Sequence, residues 1–194
     1  MATLLLDSSN TSLTVGFENN GLLIGFTSYE AWQVQSEHMV PEIDKLMEKL
    51  GLSRNDINRI IVSIGPGSYT GVRIALTIAK ITSLACNAPI YPISSLRVLK
   101  NNDEPSICLI NARSNRSYFG VYQGKEVIVS DTIKTNEEVM SYINEHPLYS
   151  ICGDARYLGF DNNDNNICKQ MISVMDVLKK AENDLSVKPV YLKD

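Results

Sequence analysis

Ser63-Ile64-Gly65-Pro66-Gly67-Ser68-Tyr69-Thr70-Gly71-Val72-Arg73 joins an apolar run, Arg59 to Ile64, to a longer apolar segment from Val72 to Cys86. The first has the length and β-branched content of a buried strand, and the second has the length of a helix. Gly-Pro-Gly punctuates the join, and either Ser68 or Thr70 is placed to cap the helix by accepting an orphan backbone N–H. Strand end, glycine turn and helix N-terminus bring N–H groups and the positive helix end to one point, a geometry that suits an anion. Two readings stand side by side: a ligand loop built on Gly65, Gly67, Ser68, Thr70 and Gly71, or a plain strand-to-helix turn. It is not a Walker loop, because no Gly-Lys-Ser/Thr follows, and it is not the dinucleotide Gly-x-Gly-x-x-Gly. Arg73 falls in the first helical turn, where the helix dipole disfavours a cation. It is therefore expected to have an acceptor, either a ligand or a carboxylate of its own fold.

The segments around this loop set an order. Leu4-Leu5-Leu6 reads as a buried strand ending in the acidic, hydroxyl-rich turn Asp7-Ser8-Ser9. Asp7 is either a functional carboxylate or a strand-end residue capping its own turn. Ser12 to Phe17 alternates, Asn19-Asn20-Gly21 signals a hairpin, and Leu22 to Tyr29 returns as a third strand. Met39, Ile43, Leu46, Met47 and Leu50 recur at helical spacing before Gly51. Pro41 is expected to start that helix or kink it, since an interior proline clashes with the carbonyl four residues back. Ser53 is expected to cap one more turn.

Beyond the central loop, Val72, Ala75, Leu76 and Ala79 share one face of the helix, and Ile74, Ile78, Ile81 and Ala85 share another. A helix apolar nearly all round is either wholly buried or presents a protein interface. Pro89 to Ile93 reads as a strand and Ser94 to Lys100 as the start of a helix. The polar run Asn101 to Pro105 is the best lobe boundary. It divides an N-terminal lobe, 1–100, from a smaller C-terminal lobe, 101–194.

The order then repeats. Ser106 to Asn111, Tyr118 to Tyr122 and Glu126 to Val129 read as strands. Thr135 with Glu138 forms a capping box before a helix, and Tyr149 to Cys152 is a strand. Ile167 to Ala181 reads as a last helix, expected to pack back on the first lobe, and Val187 to Leu192 reads as an extended tail.

Composition narrows the chemistry. The chain has 194 residues and a net charge of −4, so it lacks a basic footprint for holding nucleic acid by itself. Cys86, Cys108, Cys152 and Cys168 are scattered with no Cys-x-x-Cys, which favours reduced and mostly buried thiols. The apolar opening is cut by Asp7 and is too short for a signal or membrane segment, so a cytoplasmic location is expected. His38 and His146 are remote from each other, which offers neither a metal ligand pair nor a hydrolase base near a nucleophile. His38 is assigned to capping or packing. The Asp161–Asn166 loop lacks the glycine and terminal glutamate of a calcium loop.

Two lobes of three strands, helix and strand, with an Asp-Ser-Ser first turn, resemble the actin-like ATPase and sugar-kinase (ASKHA, ribonuclease H-like) fold: α/β, each lobe a mixed sheet with flanking helices. The run Gly65 to Arg73, with Ser36-Glu37-His38, Pro41, Leu4 to Ser9 and Pro92 to Leu96, closely resembles the TsaB (YeaZ) family. Pro189-Val190-Tyr191-Leu192-Lys193 looks like that family's usual end. The resemblance implies a bacterial subunit needed for threonylcarbamoyladenosine at position 37 of ANN-decoding tRNAs. It implies catalysis by the paralogous partner TsaD, with TsaE as an ATPase and tRNA contacted mainly by the complex. It also implies a contact between N-terminal lobes, or a homodimer, for which Met39, Ile43, Met47, Val72, Ile74, Ile78 and Ile81 are the candidates.

No catalytic residue and no metal site are assigned. Asp7, Ser8, Ser9, Gly65, Gly67, Ser68, Thr70, Gly71 and Arg73 form at most a degenerate nucleotide site. No cofactor of its own is expected, with ATP, ADP and metal entering only through the partner complex. Asn111 departs from the aspartate usual in the family's second lobe, and an amide neither gives Mg²⁺ a carboxylate charge nor acts as a base. The rival reading is a free-standing ATPase or small-molecule kinase of the same fold, carried by Asp7, Ser8 and Ser9. A peptidase stands lower for want of ligands and base.

Overall fold

In a computed structural model, residues 1–101, 103–161 and 165–192 are described. The first lobe holds β1 (Ala2–Asp7), β2 (Ser12–Asn19), β3 (Leu22–Glu30), α1 (Gln35–Leu50), β4 (Ile57–Ser63), α2 (Tyr69–Cys86) and β5 (Ile90–Ile93). The second holds β6 (Ser106–Arg113), β7 (Arg116–Gln123), β8 (Glu126–Thr135), α3 (Asn136–Glu145) and β9 (Ser150–Gly153), followed by α4 (Ile167–Ser173). The sheets run β3-β2-β1-β4-β5 and β8-β7-β6-β9. In each, the first strand of the lobe is antiparallel to its hairpin partner and parallel to the strand after the helix. The repeat is thus built as two mixed sheets with flanking helices, the actin-like architecture.

Strand alternation sorts the core. Leu4, Leu6, Ile60 and Val62 face one side, with Met39, Ile43 and Leu46 of α1 and Ala75, Leu76 and Ala79 of α2. Leu5 and Ile61 face the other side, with Cys168, Met171 and Val174 of the α4 region. β1 is buried along its whole length, which is why Leu4-Leu5-Leu6 is continuously apolar. α4 follows the second lobe in the chain but covers the first lobe's sheet.

The 94–100 segment seams the lobes. Leu96 packs with the second sheet and Val98 with the first. Ser94 Oγ donates to Asp131 (2.6 Å), which also accepts from the Tyr122 hydroxyl. The buried Lys100 donates to Gln170 Oε1 at 3.0 Å.

Four local expectations change. α1 begins at Gln35 and runs through Pro41, which is exposed, so the helix does not start at the proline. The 94–100 segment is one 3₁₀ turn, Arg97–Leu99, because Ser94 Oγ accepts from the N–H groups of Leu96 and Arg97 and Lys100 turns into the seam. β8 extends to Thr135 because β7 offers it a full-length partner. α4 stops at Ser173, and the chain turns so that the Ala181 N–H donates to the Ile90 carbonyl at the β5 edge. Asn102 in the lobe boundary, residues 162–164 in the asparagine-rich loop and Lys193 in the tail motif lie outside the described residues.

Met171→Ala is expected to destabilise the protein by about 2–5 kcal/mol in equilibrium denaturation, because Met171 is wholly buried on the first sheet. An unchanged midpoint would mean that α4 does not hold that face.

Candidate functional site: the glycine loop and the outer face of α2

The loop and the Asp-Ser-Ser turn meet at the carboxyl ends of β1 and β4. Ser68 is the N-cap of α2, its Oγ accepting from the Gly71 N–H at 3.2 Å. The Ser68 N–H donates to the Ser9 carbonyl (2.7 Å), and Ser8 Oγ donates to the Gly71 carbonyl (2.8 Å). A Cβ on Gly67 would overlap the Ser9 carbonyl oxygen, and one on Gly71 would overlap the Ser8 carbonyl oxygen. Two of the motif glycines are therefore required by backbone approach. Gly65 is held by Ser95, whose Oγ accepts from its N–H (3.0 Å) and whose N–H donates to its carbonyl (2.9 Å).

Asp7 is 2% exposed. Its Oδ1 accepts from Ser9 Oγ at 2.8 Å, and the Ser9 N–H lies 3.4 Å from Oδ2. Burial pushes the carboxyl up, against the downward pull of the Ser63 and Ser9 hydroxyls and the Ser9 N–H. In the second lobe Asn111 is exposed, and its side-chain oxygen accepts from the Arg113 N–H (2.8 Å), so the amide is occupied in its own turn.

α2 begins at Tyr69, so Arg73 stands just beyond its first turn, one correction to the sequence reading. Within the chain its partner is an aromatic residue rather than a carboxylate: Nη1 donates to the Tyr69 hydroxyl (2.8 Å), and the guanidinium lies over the Tyr69 ring. His38 is exposed, its Nδ1 3.0 Å from the Tyr29 hydroxyl. No group of metal-ligating side chains forms among the described residues. The four thiols are free, and burial pushes Cys168 up to about 12, which keeps it protonated and inert.

The interface candidates divide. Met39, Ile43 and Val72 are core residues at 0%, 7% and 1% exposure, so they present nothing to a partner; the apolar period of each helix marked its inner face as well as its outer one. Ile74 and Ile78 are half-buried on the outer face, Ile81 is exposed there, and Met47 is partly buried against the core. Val40, Tyr69 and Leu84 are exposed apolar residues that the sequence reading missed. Val40 stands at i+1 from the buried Met39, outside the period that was followed. A groove of about 370 Å³ runs between α1 and α2, lined by Ser36 and Val40 on one side and by Tyr69, Arg73, Ile74 and Ile78 on the other.

The model of the TsaD family, tRNA N6-adenosine threonylcarbamoyltransferase, matches residues 25–161. The chain belongs to this family. Within it, the similarity runs to the TsaB/YeaZ proteins. The tRNA threonylcarbamoyladenosine biosynthesis protein TsaB of Bacillus subtilis is 29% identical over 182 residues, 92% of this chain and 77% of the relative. TsaB of Haemophilus influenzae is 23% identical, covering 100% and 94%. YeaZ from Pseudomonas aeruginosa superposes with a TM-score of 0.75 at 19% identity, covering 98% and 99%. A second Pseudomonas aeruginosa structure, similar to the peptidase YEAZ, gives 0.81 at 20% identity, covering 99% of each chain. Both share the two-lobed fold. No helix among the described residues is long and apolar enough to cross a membrane.

Two results are expected here. Gly71→Ala is expected to lose about 1–3 kcal/mol of stability in denaturant titration, since the new methyl must displace the Ser8 carbonyl. Because the folded pKa of Asp7 is raised, the protein is most stable below the carboxyl's unfolded pKa and loses stability as pH rises toward the folded one. Asp7→Asn is therefore expected to flatten the thermal midpoint against pH on the acid side and to raise it at neutral pH. A midpoint lower than wild type at every pH would refute that sign.

Proposed function

We infer that this chain is a non-catalytic subunit of tRNA threonylcarbamoyladenosine biosynthesis that supports TsaD by docking on it through α1 and α2. One observation carries the reading. The loop and turn that a nucleotide would need are locked on each other, while α2 presents Tyr69, Ile81 and Leu84 to solvent beside the half-buried Ile74 and Ile78. Carbonyl oxygens of Ser8 and Ser9 fill the space above Gly71 and Gly67 and repel a phosphate. Asp7 is buried and engaged by Ser9, and Asn111 supplies no second carboxylate. These residues do not fit a magnesium nucleotide, so nucleotide and metal enter only with the partners.

TsaD is the partner the surface favours because the two chains belong to one family. A protein of the same fold offers an equivalent helix pair, and like faces pair about a pseudo-twofold axis. A second copy of this chain would use the same face. TsaE acts on the assembled pair, and tRNA meets the complex rather than this acidic chain.

The test is threonylcarbamoyladenosine formation from threonine, bicarbonate, ATP and tRNA by TsaC, TsaD and TsaE, with and without this chain. Product that requires the chain, with no ATP turnover by the chain alone, is expected. Independent turnover by the chain, abolished in Asp7→Ala, would restore the kinase reading. Ile78→Asp is expected to weaken TsaD binding at least ten-fold by calorimetry while the circular dichroism spectrum stays that of the wild type. Undiminished binding would remove α2 from the interface.

A further inference from the structure

The end of the chain is tied to the glycine loop. Beyond α4 the chain follows the β5 edge, where Asp184 accepts from the Ile90 N–H (2.8 Å) and the Ser83 hydroxyl (3.1 Å). Val187 packs on the first core. The Val190 N–H donates to the Ile64 carbonyl at 2.7 Å. The Val190 carbonyl then passes so close to Gly65, φ +107°, that a Cβ there would lie 2.5 Å from it. One residue later Tyr191 stacks on Tyr69, with centroids 5.1 Å apart and planes at 26°. Tyr69 in turn accepts the Arg73 hydrogen bond and lies beneath its guanidinium.

We propose that residues 187–192 are a strap that sets the docking end of α2: Tyr191 positions Tyr69, and through it Arg73, for the partner. The proposal rests on the docking reading above. Tyr69 is 60% exposed at the first position of the helix, and Arg73 is exposed one turn on. Free in solution, both side chains would have to be ordered on binding, which weakens a complex. A stack already formed against the strap removes that loss. Among the described residues no carboxylate pairs with Arg73, so the surface it prepares is an apolar helix stripe edged by the Arg73 cation. Its complement is an apolar helix face that carries a carboxylate. The third motif glycine thereby has its own reason, because any side chain at Gly65 would lift the strap.

The test is calorimetric titration of the full chain and its variants with TsaD of the same organism. Tyr191→Ala is expected to weaken binding roughly three- to ten-fold, the range for an aromatic pair. Tyr191→Phe is expected to bind as wild type, because the stack needs only the ring. In a Tyr69→Ala background, Tyr191→Ala is expected to add nothing further. Wild-type affinity in Tyr191→Ala, an equal loss in Tyr191→Phe, or a full loss that persists without Tyr69 would each overturn the strap. If Tyr191→Ala also lowers the thermal midpoint, the Tyr69 cycle still decides, since a general loss of stability is additive with Tyr69→Ala. Ile78→Asp separates the two ideas: its binding as wild type defeats the docking reading itself, whereas its loss beside an indifferent Tyr191→Ala defeats only the strap.

Discussion

The close approach between the Asp7-Ser8-Ser9 turn and the start of α2 fixes the rest of the first lobe. A backbone N–H of Ser68 and a hydroxyl of Ser8 cross between the two segments, and carbonyl oxygens sit where side chains of residues 67 and 71 would otherwise stand. This contact sets the angle at which α2 leaves β4. It directs Ala75, Leu76 and Ala79 onto the sheet and leaves Ile81 toward solvent, with Ile74 and Ile78 half-buried beside it. On the reading proposed above, the same contact takes the place of a phosphate and leaves α2 a face for a partner.

The buried carboxylate fits that account. Asp7 lies at the end of the central strand, with Ser9 as its near neighbour and burial, not a neighbouring cation, as the main influence on its charge. In a low-dielectric position the charged form is disfavoured, which raises its pKa. Its hydrogen bonds brace the turn against which Gly67 and Gly71 pack, a structural use for a residue type that a kinase of this fold would spend on metal. The seam between the lobes is likewise polar, although Arg97 Nε is buried there with no hydrogen-bond partner among the described residues. Ser94, Tyr122 and Asp131 form one cluster, and Lys100 with Gln170 forms part of another.

Much of the fold was legible because its signals are local. The Asn19-Asn20-Gly21 hairpin, the Thr135–Glu138 capping box and the continuous apolar run of β1 each depend on neighbouring residues alone. Two of the misses were places where a distant segment supplied the deciding partner. The Ile167 helix stops at Ser173 because the following chain bonds to the β5 edge, some ninety residues earlier in sequence. β8 runs past its apolar portion because β7 pairs with it to the end. Pro41 was tolerated inside α1 because its side of the helix faces water.

The sequence by itself determined the two-fold repeat of strands and helices, the family to which the chain belongs, and the importance of the Gly65–Arg73 run. Periodicity and turn chemistry are written in consecutive residues, so they need no knowledge of what lies across the core. Only the tertiary structure decided what each motif residue does. It gave Gly67 and Gly71 a close backbone contact as the reason for their small size and moved Met39, Ile43 and Val72 from the surface to the core. It also brought Tyr191 onto Tyr69 across more than a hundred residues of chain. Burial and non-local hydrogen bonds depend on which surfaces meet, and a linear pattern cannot tell the inner face of a helix from the outer when both are apolar.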